Sequence, residues 1–129
     1  MSSVGIVLVS HSDRLAAGLR DLVRELIGDK APVAVAGGAD DGGIGTSYDL
    51  ILFAIGEADQ GRGIVVIPDI GSAVLTVRTI QEDHPRDDVV LVDTPFVEGA
   101  VSAAVTAASG ADLAAVVTAG EEARYTAKF

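Results

Sequence analysis

Four short apolar runs punctuate the chain, and each hands over to a stretch whose apolar residues recur at helical spacing. In the first, Val4-Gly5-Ile6-Val7-Leu8-Val9, no polar residue marks a solvent face, so both faces must be covered, as in the interior of a parallel sheet. It stops at Ser10-His11-Ser12, and Asp13 opens a helix with Leu15, Leu19, Leu22, Val23 and Leu26 as its expected inner face. Gly28-Asp29-Lys30 ends that pattern. Pro32-Val33-Ala34-Val35-Ala36 follows as a second strand, whose leading proline suits a strand start or an edge. Beyond a glycine-rich loop, Gly37 to Thr46, the residues Tyr48, Ile51, Leu52 and Ile55 share one face of a helix capped near Thr46 or Ser47.

The unit then repeats. Gly63-Ile64-Val65-Val66-Ile67-Pro68 is a buried strand ending at Asp69, and Ile70-Gly71-Ser72 turns into a helix with Ala73, Val74, Val77 and Ile80 inward. His84-Pro85-Arg86-Asp87-Asp88 is a charged loop, because the residue before a proline avoids helix. Val89-Val90-Leu91-Val92 is the fourth strand, and after Asp93-Thr94-Pro95 a fourth helix presents Val97, Val101, Ala104, Val105 and Ala108, ending at Gly110. Asp112 caps a last helix through Leu113, Val116 and Val117; Ala115 to Thr118 also fits a sheet edge, and helix is the favoured reading. Strands alternating with helices predict an α/β fold: a single domain over residues 1–129, a doubly wound, mostly parallel sheet with helices on both faces.

Composition narrows the functions open to such a domain. A chain of 129 residues buries enough surface to fold without metal or disulfide, and the absence of cysteine removes thiol catalysis and Cys-ligated zinc. Nineteen acidic residues against nine basic ones give a net charge of -10, which disfavours nucleic acid and anionic membranes. That acidity serves solubility first, and second would match a basic partner. Met1-Ser2-Ser3-Val4 has neither the basic stretch nor the cleavage site of a signal peptide, so the expected location is cytoplasmic. The small-residue stretch Ala100 to Ala119 is broken by Ser109-Gly110-Ala111-Asp112 and is not read as a membrane span.

In a parallel sheet the carboxyl ends share one rim, and chemistry gathers there. His11, the Gly37 to Thr46 loop, Asp69 with Gly71-Ser72, and Thr94-Pro95 converge on it. His11 is the candidate nucleophile and Asp69 the carboxylate that orients its ring. Helix N-termini and flexible glycine backbone at this rim suit a phosphate, with Ser10, Ser12, Gly45, Thr46, Gly71 and Ser72 as its candidate contacts. The glycine loop has no Walker lysine and no dinucleotide fingerprint, and His84 reads as solvated surface. No metal-ligand spacing is present, no serine elbow occurs, and no cofactor is expected. A phosphoryl or acyl carrier fits better than a hydrolase.

The strand-and-site segment Ile6 to Ser12, the loop Ile44-Gly45-Thr46, the motif Asp69-Ile70-Gly71-Ser72-Ala73, and Pro95-Phe96-Val97-Glu98-Gly99 with Ala107 to Asp112 together resemble the mannose-type EIIA superfamily of the phosphoenolpyruvate-dependent phosphotransferase system. Within it they are similar to DhaM, the family of phosphotransferase subunits of dihydroxyacetone kinase. The resemblance runs from about Val4 to Asp112. It implies that His11 takes a phosphoryl group from phospho-HPr and passes it to ADP on the partner subunit DhaL, which phosphorylates dihydroxyacetone (glycerone) on DhaK. It also implies that Asp69 is the carboxylate beside the histidine, that the protein is a phosphotransferase subunit, and that it is a homodimer. Some relatives carry HPr-like and enzyme I-like domains, for which 129 residues leave no room, so these donors are expected to be separate proteins. A shallow, exposed His11 is expected, because two proteins must reach it in turn.

One rival belongs to the same superfamily and two to other classes. A sugar-specific mannose-type EIIA has the same fold and another acceptor. A signalling receiver domain would be phosphorylated on Asp69, but the acidic magnesium-binding pair and the lysine of that fold are missing. A third reading, a binding module built on the glycine loop, would carry no covalent phosphate.

Overall fold

The structure is a computed structural model that describes residues 2–129. The strands β1 (Gly5–Ser10), β2 (Val33–Gly37), β3 (Ile64–Pro68) and β4 (Val89–Leu91) form one sheet of order β2-β1-β3-β4, with every pairing parallel. The helices are α1 (Asp13–Ile27), α2 (Tyr48–Ala58), α3 (Gly71–Asp83), α4 (Phe96–Ala108) and α5 (Leu113–Glu122). Every residue of β1 is buried, as a strand covered on both faces must be. Ile6 and Leu8 point with Val65 and Ile67 into the layer of α1, α4 and α5, while Val7 and Val9 point with Ile64 and Val66 into the layer of α2 and α3. The tail segment settles as helix, with the Asp112 side chain accepting from the Ala115 N–H.

The winding makes a crevice. From β1 the chain leaves over one face through α1 to the outer strand β2, then returns over the other face through α2 to β3 and continues the opposite way through α3 to β4. The carboxyl ends of β1 and β3 are therefore neighbours whose following helices diverge to opposite faces, which is the switch point where open α/β sheets bind ligands.

The inner faces of two helices differ from expectation. α1 buries Ala16, Leu19, Val23 and Ile27, while Leu15, Leu22 and Leu26 are 46%, 45% and 57% exposed. These three leucines line one shoulder of the buried face. α4 buries Gly99, Ala100, Ala103, Ala104 and Ala107, leaving Val97 and Val105 exposed. At Gly99 nothing larger fits, since a Cβ would sit 2.1 Å from the Cγ2 of Thr94 in the segment leading into the helix. In α3, Val74 is half-buried where Ala73, Val77 and Ile80 are fully inside. Tyr48 and Leu52 likewise only edge the core of α2, which Ile51, Ala54, Ile55 and Ala58 fill.

Close approach also sets the end of β2. A Cβ on Gly37 would lie 2.7 Å from the Asp13 Cα and 2.9 Å from the Ser12 carbonyl oxygen, whereas a Cβ on Gly18 in α1 meets nothing within 4 Å. Alanine at these two positions should act with opposite signs. Gly37→Ala is expected to destabilise by about 1–3 kcal/mol through overpacking. Gly18→Ala is expected to stabilise by about 0.5–1 kcal/mol through helix propensity. Urea unfolding of the two variants checks both, and equal shifts would contradict the packing described.

Candidate functional site

His11 follows β1 directly, and Asp69 follows β3, so the switch point brings them together. The His11 N–H donates to Asp69 Oδ2 at 2.9 Å, and the ring Nδ1 lies 2.9 Å from Asp69 Oδ1. The Ser10 hydroxyl donates to Oδ2 at 3.0 Å, and the Ile70 N–H donates to Oδ1 at 2.7 Å. Each carboxylate oxygen thus takes two donors. Burial alone would raise the Asp69 carboxyl, but the His11 N–H, the His11 ring, the Ile70 N–H and the Ser10 hydroxyl together hold it below the usual carboxylate value.

An ionised carboxylate only accepts, so the neutral ring must carry its proton on Nδ1 and its lone pair on Nε2. The Ser72 hydroxyl donates to that Nε2. Ser72 and Gly71 form the first turn of α3, where Ile70 occupies the capping position and supplies no side-chain bond. The first N–H groups of a helix have no partner within it, so this end is open and partially positive. The Nε2 lone pair of His11 therefore meets the Ser72 hydroxyl at a helix end whose N–H donors suit an oxyanion.

The remaining sequence candidates divide by what their polar groups already do. Ser10 is completely buried, with its oxygen also accepting from the Ser12 N–H at 3.0 Å, so it supports Asp69 and has no free approach to a phosphate. Strand alternation carried the signal: Ser10 continues the inward face of Ile6 and Leu8. The Ser12 hydroxyl caps α1 by accepting from the Leu15 N–H at 3.2 Å. The Gly45 N–H donates to the His11 carbonyl at 3.0 Å, and the Thr46 and Thr76 hydroxyls share a hydrogen bond of 3.0 Å. Gly45, expected to hold phosphate, thus props the His11 backbone, while Thr46 ties the loop to α3. The Ser72 hydroxyl meets the ring Nε2, and Gly71 precedes it as the first residue of α3.

Two further expectations change. The His11 side chain is only 17% exposed, less open than two visiting proteins suggested, because Asp69 and Ser72 enclose it and leave the Nε2 edge accessible. Thr94 does reach the rim, but its hydroxyl is buried against Gly99 without a partner. It lines a hollow of 350 Å³ with Asp69, Gly71, Arg78 and Asp93, beside the site. His84 is exposed at the end of α3. Among the described residues no group of three or more His, Cys, Asp or Glu is placed to hold a metal ion, and no helix is long and apolar enough to cross a membrane.

Comparison with known proteins bears on this arrangement. The family model described as EIIA-man, PTS system fructose IIA component, matches residues 5–117. The chain is 36% identical over 105 residues to the phosphoryl donor subunit DhaM of the PEP-dependent dihydroxyacetone kinase 2 of Listeria innocua, covering 79% of this chain and 84% of that one. It is 34% identical over 112 residues to the phosphotransferase subunit DhaM of the PTS-dependent dihydroxyacetone kinase of Lactococcus lactis, covering 87% and 89%. A crystal structure described as a protein of unknown function superposes with a TM-score of 0.79 at 30% identity over 95% of both chains. With the match spanning both ends of the switch-point crevice, the chain belongs to the EIIA-man family of phosphotransferase-system components.

Proposed function

We propose that the chain is a phosphohistidine carrier in which His11 Nε2 accepts a phosphoryl group from phospho-HPr and passes it to ADP on a DhaL subunit, for phosphorylation of dihydroxyacetone on DhaK. The observation that carries this reading is the imidazole fixed through Nδ1 by Asp69 with Nε2 turned to the open N-terminus of α3. The names of the relatives support the acceptor, and hence the DhaM reading over a sugar-specific EIIA. A homodimer, from the family resemblance, and a cytoplasmic location, from the character of the first residues, belong to the same proposal.

The chemistry follows from the geometry. Attack by Nε2 leaves positive charge on the ring, which the Asp69 carboxylate balances through the retained Nδ1 proton. The Ser72 hydroxyl, which donates to the lone pair at rest, turns its proton to a phosphoryl oxygen once that pair is used. The N–H groups of Gly71 and Ser72 meet the other oxygens. Positioning and charge balance are most of what phosphoryl transfer asks of a protein. Phosphorylation of Asp69 itself, as in a receiver, is opposed by the hydrogen bonds that occupy both of its oxygens.

Two measurements test the reading. Intact mass after incubation with phosphoenolpyruvate, enzyme I and HPr should show a single phosphoryl adduct, acid-labile and base-stable, with phosphorus on Nε2 by NMR and no adduct on His11→Ala. Labelling of His11→Ala that disappears in Asp69→Asn would instead make Asp69 the acceptor.

The second measurement follows acid unfolding. A carboxyl depressed in the folded state stabilises at pH above its unfolded value, about 3.9, and that contribution fades as pH falls through the lower folded value. Asp69→Asn should therefore lose about 2 kcal/mol at neutral pH, where a charge-assisted hydrogen-bond set is removed. The gap to the native chain should narrow below about pH 3.9. A gap independent of pH in urea titrations would show that the charge of Asp69 is not what the fold uses.

A further inference from the structure

We infer that the hollow between the ends of β3 and β4 and the start of α3 is a binding site for a small phosphomonoester, held by Arg78, whose occupancy opposes phosphorylation of His11; the coupling rests on the phosphohistidine reading above. The opening has a cause in the sequence. β3 and β4 pair from Ile64 with Val89 to Val66 with Leu91, and the Val66 carbonyl accepts from the Val92 N–H at 3.0 Å. Alternate residues of β3 face β4, so the next donor along that edge would be the N–H of residue 68, which a proline lacks. The ladder stops there. β3 runs on beside β1 as far as Pro68, while the chain after Val92 leaves towards α4. What remains is a hollow of 350 Å³, at the small end of the range for ligand sites.

Its lining suits an anion on a short carbon body. Gly71, Val74 and Arg78 form one stripe of α3, and Val74 with Pro68 and Leu91 makes an apolar floor. No ion pair among the described residues involves the Arg78 guanidinium. Thr94, beyond β4, lines the same hollow with a buried hydroxyl that has no partner, a state native structures rarely leave without a reason. Two carboxylates border the hollow without answering Arg78. Asp69 already takes four donors, and Asp93, 90% exposed, turns to Arg124 at 3.7 Å. Arg78, Thr94 and the open first turn of α3 offer donors from three elements, which match the three oxygens of a phosphate better than the two of a carboxylate. The floor favours an ester over the bare ion.

The hollow and the histidine share a wall. Asp69, Ile70 and Gly71 line the hollow, while Asp69 holds Nδ1 and Ser72, the next residue, meets Nε2. A phosphoryl group on Nε2 and a phosphate beside Arg78 therefore both draw on the N-terminus of α3, which has no side-chain cap. Two anions at one helix end repel each other, and linkage makes the penalty equal in both directions. A small phosphate ester that accumulates would hold back the loading of His11.

The test titrates the full, isotope-labelled chain with glycerol phosphate, and in parallel with glycerol and with inorganic phosphate, following amide shifts by NMR. The titration is repeated after His11 has been phosphorylated with phosphoramidate, a small donor that needs no partner protein, and the reagent removed. Glycerol phosphate is expected to bind the free chain with shifts centred on Gly71, Val74 and Thr94. Arg78→Gln should weaken it about tenfold or more through loss of charge-assisted hydrogen bonds. Arg78 is exposed, so this variant is expected to fold. The phosphorylated native chain should bind about fivefold or more weakly than the free one. Equal affinity in native and Arg78→Gln chains would overturn the site, placing the ligand elsewhere. Equal affinity before and after phosphorylation would overturn the coupling, and glycerol or inorganic phosphate binding as tightly as the ester would overturn the ligand class. A chain that phosphoramidate leaves unlabelled would remove the coupling together with the phosphohistidine reading, and the Arg78 comparison would then decide the site by itself.

Discussion

Asp69 accepts four hydrogen bonds from groups that arrive on two strands, and the candidate site exists only where those strands end level with one another. Pairing of Leu8 with Ile67 and of Val9 with Pro68 brings Ser10 and His11 opposite the carboxylate. A slip of one residue would turn every side chain of β1 to the other face, exchanging the two cores and moving Ser10 out of reach. The apolar alternation that fills both cores therefore also places the chemistry. Folding stability and site geometry are here one constraint, because the same register satisfies both.

The carboxylate does more than orient a ring. Being ionised and surrounded by donors, it cannot offer a proton, so the tautomer of His11 is decided by Asp69 and not by the solvent. The lone pair then faces α3, whose uncapped first turn is a weak point for the helix and a useful one for an anion. Ser12 shows the alternative on the other side of the same histidine: a serine that caps its helix and is thereby spent. Two helices begin beside His11, and only the one without a cap has donors to give.

Much of this was readable from residue order because buried parallel strands announce themselves. Runs such as Gly63 to Pro68 have no polar face, and the residue that ends each run must stand at the rim, which is how His11 and Asp69 declare themselves. Helix faces were harder. From Ala100 to Ala108 every position of α4 is small or apolar, so periodicity carries no phase, and the valines look more hydrophobic than the alanines that actually pack. In α1 the leucines suggested a face that Ala16 and Ile27 take instead. Hydroxyls were harder still, since sequence cannot tell one that meets the reactive ring nitrogen, as Ser72 does, from one that holds a carboxylate or closes a turn, as Ser10 and Ser12 do.

A carrier must be reached by large partners and still keep its phosphoryl group from water. An open histidine would satisfy the first need only. Here Asp69 and Ser72 enclose the ring, and 17% of the side chain is exposed. Whatever covers the remaining edge removes its water, so the environment of Nε2 would change most when a partner arrives. Exclusion of solvent at that moment strengthens the electrostatic help from Asp69 and the α3 N-terminus, which act more strongly once water is removed.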